Sequence, residues 1–399
     1  MASKIKNKWQ AIMNAEITGE DLYLFAFGVV LFVSFIINTT FMSYLVVKYL
    51  NYITYLMVGI LLIKMVTFDH YRWWQLLILF AIFGLSVISW RHSKITSLMI
   101  MTAFVIAARG VDFHKVINSY LWINGCLLVT IFIYSLFGII VNLTYYRNHI
   151  PRFALGIDYP TDLAAYAFYF LLAWVYKNYQ SLHKQEYFLI ILMDAALFII
   201  TNARLDVLLI LLTLICVYIS KLAYNQHPLA SNVVKAYWGL DMILPYAYFL
   251  VSWFYSKENH LLRHLNDALS GRLSLGKQGL DEYGCTLLGQ HIKERGWGGV
   301  NGAKMFHRNP WKYFFIDSSY LRLLLIFGVI IGLLVILCIV VISLRSTLQG
   351  QYLMPTILLL VTISSMIDQH LVEITFNPFL IALLARNVDT RIGGKIDEE

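Results

Sequence analysis

Residues 323–344 read LLLIFGVIIGLLVILCIVVISL and contain no charged side chain. As a helix rising about 1.5 Å per residue, this stretch is long enough to cross a hydrocarbon core of about 30 Å. Similar apolar runs recur along the chain of 399 residues. Because lipid offers the backbone no hydrogen-bond partner, each run must form a helix that satisfies its own amides and carbonyls. The sequence therefore predicts an all-α, polytopic membrane bundle.

The composition excludes a soluble domain. Hydrophobic residues make up 59% of the chain and charged residues only 14%, whereas about a quarter of the residues in a typical soluble protein are charged. The cysteines are scattered at positions 126, 216, 285 and 338, which indicates neither a disulfide framework nor a metal cluster. The basic N-terminus leads into a long apolar segment without a small-residue cleavage site, which favours a first membrane helix over a signal peptide.

We predict about twelve membrane-spanning helices from the apolar runs. Their ranges are 21–43, 49–67, 73–90, 95–110, 118–142, 161–179, 187–202, 204–220, 237–256, 319–344, 352–368 and 371–386. The chain then divides into an N-terminal cytoplasmic segment at 1–20, nine helices within 21–256, one large external loop at 257–318, three helices within 319–386 and a cytoplasmic tail at 387–399.

The distribution of basic residues sets the predicted orientation. An even number of crossings places both termini on one side, and basic clusters near both termini mark that side as cytoplasmic. These clusters are Lys4, Lys6, Lys8, Arg386, Arg391 and Lys395. Arg91 and Lys94 oppose this orientation, and Lys64 is expected to reach the inner interface by snorkelling. The net charge of +8 reflects the same bias, and no basic run with interleaved aromatic residues indicates nucleic-acid binding.

The loop at 257–318 is too long for a passive connector. Its first part places Leu261, Leu262, Leu265 and Leu269 at helical spacing, which predicts an amphipathic helix on the membrane surface or over the bundle. The remainder is rich in glycine from position 271 to position 302. This glycine-rich composition favours irregular backbone that wraps around a ligand or forms a moving lid.

Three arginines on the external side are candidate ligand-binding residues. They are Arg152 in RNHIPRFALGIDYPTD at 147–162, Arg204 in TNARLD at 201–206 and Arg272 in SGR at 270–272. An arginine presents a rigid fork of donors that suits phosphate oxygens. Three of them from separate loops predict a doubly negative ligand, most naturally a lipid phosphate or diphosphate. The alternatives are headgroup contact for Arg152, an ion pair between Arg204 and Asp206, and a solvated loop position for Arg272.

Acidic residues and a histidine lie near the same face. Asp317, in DSSYLRLLLIFG at 317–328, fits either a helix N-cap or a general base. Asp368, His370 and Glu373 form a polar group at predicted membrane depth, where ionisable residues suggest function. The alternative for this group is a hydrogen-bonded network that locks two helices together.

The order, spacing and common side of four motifs resemble those of the bacterial polysaccharide polymerase and O-antigen ligase families, often called Wzy and WaaL. The motifs are RFALGIDYP at 152–160, TNAR at 201–204, SGR at 270–272 and DSSYLRLLLIFG at 317–328. The resemblance covers the chain from about the fifth predicted helix to the end. It implies a largely helical glycosyltransferase of the C class. Such an enzyme polymerises O-antigen, capsule or exopolysaccharide repeat units, carried on undecaprenyl diphosphate, at the outer face of the cytoplasmic membrane.

The resemblance also implies roles for individual residues. Arg152, Arg204 and Arg272 are expected to hold the diphosphate and stabilise its leaving charge. Asp317 is expected to deprotonate the acceptor hydroxyl, with His370 as the second candidate base. The expected supporting residues are Arg147, Gly156, Tyr320 and Arg322. The family's ligases have a histidine where this chain has Asp317, which favours a polymerase.

Two other functions remain open. A flippase or exporter of lipid-linked oligosaccharides handles the same lipid, but it predicts charges that line a central cavity through many helices. A ligase transfers the glycan to a different acceptor. The expected partners are the undecaprenyl-diphosphate-linked oligosaccharide and membrane lipid, with a flippase and a chain-length regulator as candidates. Neither a cofactor nor a metal is expected, because the chain offers no cluster of ligands for one.

Overall fold

The computed structural model describes residues 18–388, which form a helical membrane bundle. Its helices are α1 (Gly19–Ile37), α2 (Val47–Thr67), α3 (Trp73–Ser93), α4 (Ser97–Ile106), α5 (Phe113–Leu136), α6 (Pro160–Asn178), α7 (Lys184–Thr201), α8 (Arg204–Tyr224), α9 (Pro228–Lys235), α10 (Tyr237–Trp253), α11 (His260–Ala268), α12 (Arg272–Tyr283), α13 (Gly299–Arg308), α14 (Ser319–Arg322), α15 (Val329–Leu348) and α16 (Leu353–Ile367). Six of them, α1, α2, α3, α5, α8 and α15, are long and apolar enough to cross a bilayer. The chain is therefore a multi-pass membrane protein.

Most of the basic residues that set the predicted orientation lie outside the described part of the chain. This holds for Lys4, Lys6, Lys8, Arg391 and Lys395. Arg386 is described, and its guanidinium lies 3.7 Å from the Glu20 carboxylate at the start of α1. Lys115, just inside α5, also pairs with Glu20. These contacts bring the first and last described segments together at one end of the bundle.

The helices α6 and α16 form the centre of the bundle. Almost every side chain of α16 is buried, because a helix that is apolar on all sides packs among other helices. Helix α6 contributes a row of buried aromatic side chains that includes Tyr166, Tyr169 and Tyr176. The Tyr166 ring stacks on Phe376 with a centroid distance of 3.9 Å. Helix α6 thus joins the core to the C-terminal segment.

The prediction of a regular helix at 371–386 is wrong. This part of the chain contains two 3₁₀ turns, His370–Val372 and Phe379–Leu383, joined by non-helical backbone. It begins at Asp368, which lies near Asn38 at the C-terminal end of α1. It ends at Arg386, which lies near Glu20 at the N-terminal end of α1. Non-helical backbone at membrane depth is tolerated where protein encloses it. Most side chains of this segment are buried.

Side chains of the surrounding helices satisfy the carbonyl oxygens of this irregular segment. The Tyr120 hydroxyl donates to the carbonyl of Phe376 at 2.7 Å, and the Asn124 amide donates to that of Thr375 at 2.9 Å. The Arg345 guanidinium donates to two carbonyls of the second 3₁₀ turn. These bonds replace the hydrogen bonds that a helix would make within itself.

Lys64 does not snorkel to the interface. This residue is 1% exposed, and its ammonium group lies 2.6 Å from the Asp69 carboxylate. It also donates to the carbonyl oxygens of Ala107 and Arg109 at 2.8 and 2.6 Å. These two hydrogen bonds tie the end of α2 to the chain that follows α4.

The large loop contains more helix than its glycine content predicts. The amphipathic helix is present as α11, with Leu261 and Leu265 exposed and Leu262 packed against the core. Helices α12 and α13 occupy much of the glycine-rich part, which we expected to be irregular. Irregular backbone is confined to residues 284–298 and 313–318, apart from isolated turns and bridges.

Two glycines allow this loop to enter a break in the bundle. Between α14 and α15 the chain forms a π turn at Leu323–Phe327, followed by Gly328 with φ of 102°. A Cβ atom on Gly328 would lie 2.5 Å from the backbone nitrogen of Gly289. The amide of Gln290 donates to the carbonyl of Ile326 at 3.0 Å. Only glycine permits this close approach.

A hairpin lies between α5 and α6. Strands β1 (Thr144–Arg147) and β2 (Ile150–Phe153) pair antiparallel, with Tyr145 opposite Arg152. Helix α5 ends at Leu136, before the predicted end of the fifth span at 142, which leaves room for this hairpin. The hairpin places two predicted site residues, Arg147 and Arg152, at the end of the bundle where α7 meets α8.

Candidate functional site

Arg152 is the most buried of the predicted arginines. It lies on β2 and is 2% exposed. Its Nε donates to the carbonyl oxygen of Thr201, at the end of α7, at a distance of 2.7 Å. Its guanidinium lies 5.5 Å from the centre of the Tyr159 ring. The Nη2 group is buried and makes no hydrogen bond, so part of the guanidinium remains free to donate.

Three further arginines share its surroundings. The Nη1 of Arg147 donates to the carbonyl of Asn202 at 3.3 Å. Burial, with added repulsion from Arg152, Arg204 and Arg272, lowers the pKa of Arg147 to about 10. These three arginines therefore lie near enough to Arg147 to lower its pKa. The positive charges of Arg147, Arg152 and Arg204 favour binding of an anion, whereas that of Arg272 is balanced by neighbouring carboxylates.

Arg204 is the exposed member of this group. It is the first residue of α8, and Ala203 before it stands at the N-cap position. Among the described residues, Arg204 forms no ion pair with Asp206, which is buried at 2% exposure. The tight turn between α7 and α8, with Asn202 in the left-handed region at φ of 47°, holds the backbone of Arg204 in place.

Arg272 lies between two carboxylates. It begins α12 directly after Gly271, whose φ is 88°. Its Nε donates to the carbonyl of Ile367 at 2.6 Å. Its guanidinium nitrogens lie 3.9 Å from the Asp317 carboxylate and 3.8 Å from that of Asp368. Arg272 is thus a fixed residue of the bundle end, and the alternative of a solvated loop arginine is wrong.

Asp317 does not act as a helix N-cap. Ser318 occupies the N-cap position of α14, so the Asp317 carboxylate faces the adjoining cavity, and its side chain is 25% exposed. Burial raises the pKa of Asp317 to about 6, although Arg272 works in the opposite direction. A carboxylate with such a pKa is a better proton acceptor near neutral pH than an ordinary aspartate.

The cavity beside Asp317 has a volume of about 320 Å³. Its lining combines carboxyl groups with aromatic rings, among them Asp158, Tyr159, Trp297 and Tyr313. Burial, with a contribution from the Asp162 carboxylate, raises the pKa of Asp158 to about 7. The lining is thus predominantly polar and acidic, with aromatic rings on part of its surface.

His370 lines the same cavity, but both of its ring nitrogens face carboxylates. Nδ1 lies 3.0 Å from Glu373, and Nε2 lies 3.6 Å from Asp162. The ring is stacked on Phe376 with a centroid distance of 3.6 Å. Two neighbouring carboxylates favour the protonated imidazole, which cannot accept a proton. The geometry therefore favours Asp317 over His370 as a base.

None of the four predicted supporting residues lines the cavity. The Tyr320 hydroxyl donates to the carbonyl of Thr362 at 2.8 Å within the bundle. Arg322 pairs with Glu294 of the large loop at 2.7 Å. Gly156 has φ of 88°, and a Cβ atom there would lie 2.7 Å from the side chain of Ile131. Arg147 alone among the four supporting residues belongs to the arginine group.

Several residues of the site were not predicted as functional. Asp158, Tyr159 and Asp162 stand inside the quoted motif at 147–162, so their carboxyl and aromatic groups were a visible signal. Trp297 and Tyr313 come from the large loop, where no spacing pointed to them. The Tyr145 hydroxyl of β1 donates to the carbonyl of Trp297 at 2.7 Å, which brings this part of the loop to the cavity.

The candidate site combines three kinds of group. They are the arginines, the Asp317 carboxylate and the aromatic rings of the cavity lining, an arrangement that is suited to binding an anion and accepting a proton. Comparisons of the chain with protein-family models, with curated proteins and with solved structures found no match.

Proposed function

We propose that this protein is a membrane glycosyltransferase that polymerises undecaprenyl-diphosphate-linked oligosaccharide repeat units. One observation carries the proposal: the buried Arg152, with a free Nη2 group, belongs to a group of four arginines beside the Asp317 cavity. A buried donor without a partner is costly unless a ligand satisfies it. A diphosphate supplies both the negative charge and the acceptor oxygens.

In the proposed reaction, Arg152, Arg204 and Arg272 hold the diphosphate of the donor lipid. Asp317 removes the proton from a hydroxyl group on the terminal sugar of the acceptor. The acceptor oxygen attacks the anomeric carbon of the donor glycan and forms the new glycosidic bond. The bond between that carbon and the diphosphate oxygen breaks, and the lipid diphosphate leaves with the electron pair. Preorganised arginines stabilise the charge that develops on this leaving group.

The proposal places the site at the outer face of the bacterial cytoplasmic membrane, with both termini in the cytoplasm. Support comes from the positions of charged residues at the two ends of the bundle. Glu20, Lys115 and Arg386 lie together at one end of the bundle. The four arginines of the candidate site lie at the other end. Twelve crossings and membership of the C class of glycosyltransferases remain part of this proposal, with residues 371–386 as an irregular crossing.

The test is deletion of the gene, followed by analysis of lipid-linked saccharides on each leaflet. A polymerase predicts accumulation of single repeat units on the outer leaflet. Accumulation on the inner leaflet alone would indicate a flippase, and intact lipid-linked polymer that fails to reach its final acceptor would indicate a ligase. Restoring the gene with Arg152→Lys should not restore polymer. Arg263→Lys, on the exposed face of α11 and outside the arginine group, is the matched control.

A further inference from the structure

A second cavity adjoins the candidate site. It has a volume of about 220 Å³ and lies between α1, α2, α4 and residues 373–375. Asn38 lines both cavities. His370 lines the first cavity and Glu373 the second, and the 3.0 Å hydrogen bond between them forms part of the wall. A ligand in the second cavity would therefore lie next to one in the first.

The second cavity has a polar lining although it lies within a membrane bundle. Ser34 is one turn from the end of α1, Asn51 is one turn into α2, and Thr96 precedes α4. Within residues 18–388, none of these three side chains forms a hydrogen bond with the protein. Each of these three side chains is partly buried, so its polar group is accessible from the cavity. The amide of Asn51 and the hydroxyls of Ser34 and Thr96 are therefore available to bond with a ligand there.

The charged side chains in the lining indicate which class of ligand the cavity can bind. Glu373 is the single ionisable side chain among the described residues that line this cavity, and no lysine or arginine of this part of the chain joins it. Among the described residues, the lining therefore offers a negatively charged ligand no partner of opposite charge. Ile37, Ile95 and Ile374 add an apolar face to the polar one. An uncharged sugar ring, with hydroxyl groups on its edge and C–H groups on its faces, matches this combination.

We infer that the second cavity binds an uncharged sugar ring of the lipid-linked saccharide, while the arginine group holds the diphosphate of the same or of a neighbouring lipid. The inference rests on the proposed function and adds to it a position for the sugar and a requirement that this sugar carry no negative charge. Asn51 is the key residue, because its amide both donates and accepts.

The experiment compares two lipids bound to the full-length protein in nanodiscs. The probes are undecaprenyl diphosphate and the lipid-linked saccharide pool extracted from a strain that lacks the gene. Native mass spectrometry measures which lipid is retained when both compete. We expect the unaltered protein to prefer the saccharide-bearing lipid by about tenfold or more. Asn51→Leu, which removes the amide and fills space, should abolish this preference and leave retention of undecaprenyl diphosphate unchanged.

Controls separate the failure of this inference from the failure of the proposed function. Asn232→Leu makes the same change in a groove formed by α8, α9 and the chain before α16, and it should keep the preference. Asn51→Ala serves as a second variant if the leucine variant does not fold. An unchanged preference in folded Asn51 variants, or no preference in the unaltered protein, would overturn the sugar site alone. Retention of neither lipid by the unaltered protein would overturn the proposed function as well.

Discussion

The Nε of Arg152 lies 2.7 Å from the carbonyl oxygen of Thr201, to which it donates a hydrogen bond across 49 positions of sequence. This bond joins the hairpin after α5 to the turn between α7 and α8. It uses one donor of the guanidinium and leaves Nη2 buried without a partner. The position of Arg152 is thus set by the protein, while part of its hydrogen-bonding capacity remains available for a ligand.

Replacement of Arg152 by lysine should lower the polymerisation rate by about 100-fold or more, because loss of one preorganised donor to a developing charge typically has this effect. Lysine keeps the positive charge but lacks the planar guanidinium, which can donate to the Thr201 carbonyl and to a ligand at the same time. The rate is measured with lipid-linked repeat units in membranes. Arg263→Lys should leave it unchanged, and equal rates in both variants would contradict the role of Arg152.

The activity should depend on the ionisation of Asp317. Because burial raises the pKa of this carboxyl to about 6, the base form is largely present above that pH and is lost below it. The rate should therefore rise about tenfold per pH unit below pH 6 and level off above it. Asp317→Asn should abolish activity at every pH. A pH profile that is flat from about 5 to 8 would rule out Asp317 as the base.

Loss of the buried Lys64 should destabilise the fold. Lys64→Met leaves the Asp69 carboxylate buried without its partner, which typically costs about 3–5 kcal/mol. Thermal unfolding of the purified protein measures the effect. The double variant Lys64→Met with Asp69→Asn should recover part of this loss. Lys48→Met, at an exposed position of α2, is the control and should change the unfolding temperature little.

Gly328→Ala should also destabilise the protein. The backbone at this position has φ of 102°, and the added Cβ would lie 2.6 Å from the carbonyl oxygen of Leu287. We expect a cost of about 1–3 kcal/mol in the free energy of unfolding. Limited proteolysis should then cut residues 284–298 faster. Gly239→Ala in α10, where nothing lies within 4 Å of the new Cβ, is the matched control and should not increase cleavage.

Two of the predicted arginines, Arg152 and Arg272, lie next to residues that line the candidate cavity, and their role in binding stays a prediction. Arg152, Arg204 and Arg272 stand in short polar motifs between apolar runs, and a charged residue in such a place is visible without a structure. Asp158 and Trp297 were missed as functional residues because their neighbours in space come from distant parts of the chain. The carbonyl of Asp158 accepts from the amide of Gly299 at 2.9 Å, a contact that no spacing predicts.

Helix prediction failed in the segment after α16, and the predicted helix at 319–344 is interrupted at Leu323–Phe327. Residues 371–386 are apolar enough to predict a membrane helix. Their non-helical backbone is stable because Tyr120, Asn124 and Arg345 donate to its carbonyl oxygens from other helices. The hydrophobicity of a segment predicts that it is buried away from water. It does not predict which groups form hydrogen bonds with its backbone.

The sequence alone determined the class of this protein, because long runs without charge have few stable states other than helices within a membrane. It also determined that basic residues stand in short connections between those runs. Tertiary structure decided which of them meet, and it placed Arg272 between Asp317 and Asp368. Convergence of this kind depends on packing between helices that are far apart in sequence. Their contacts are set by side-chain shape and by hydrogen bonds between distant segments, which a local pattern does not contain.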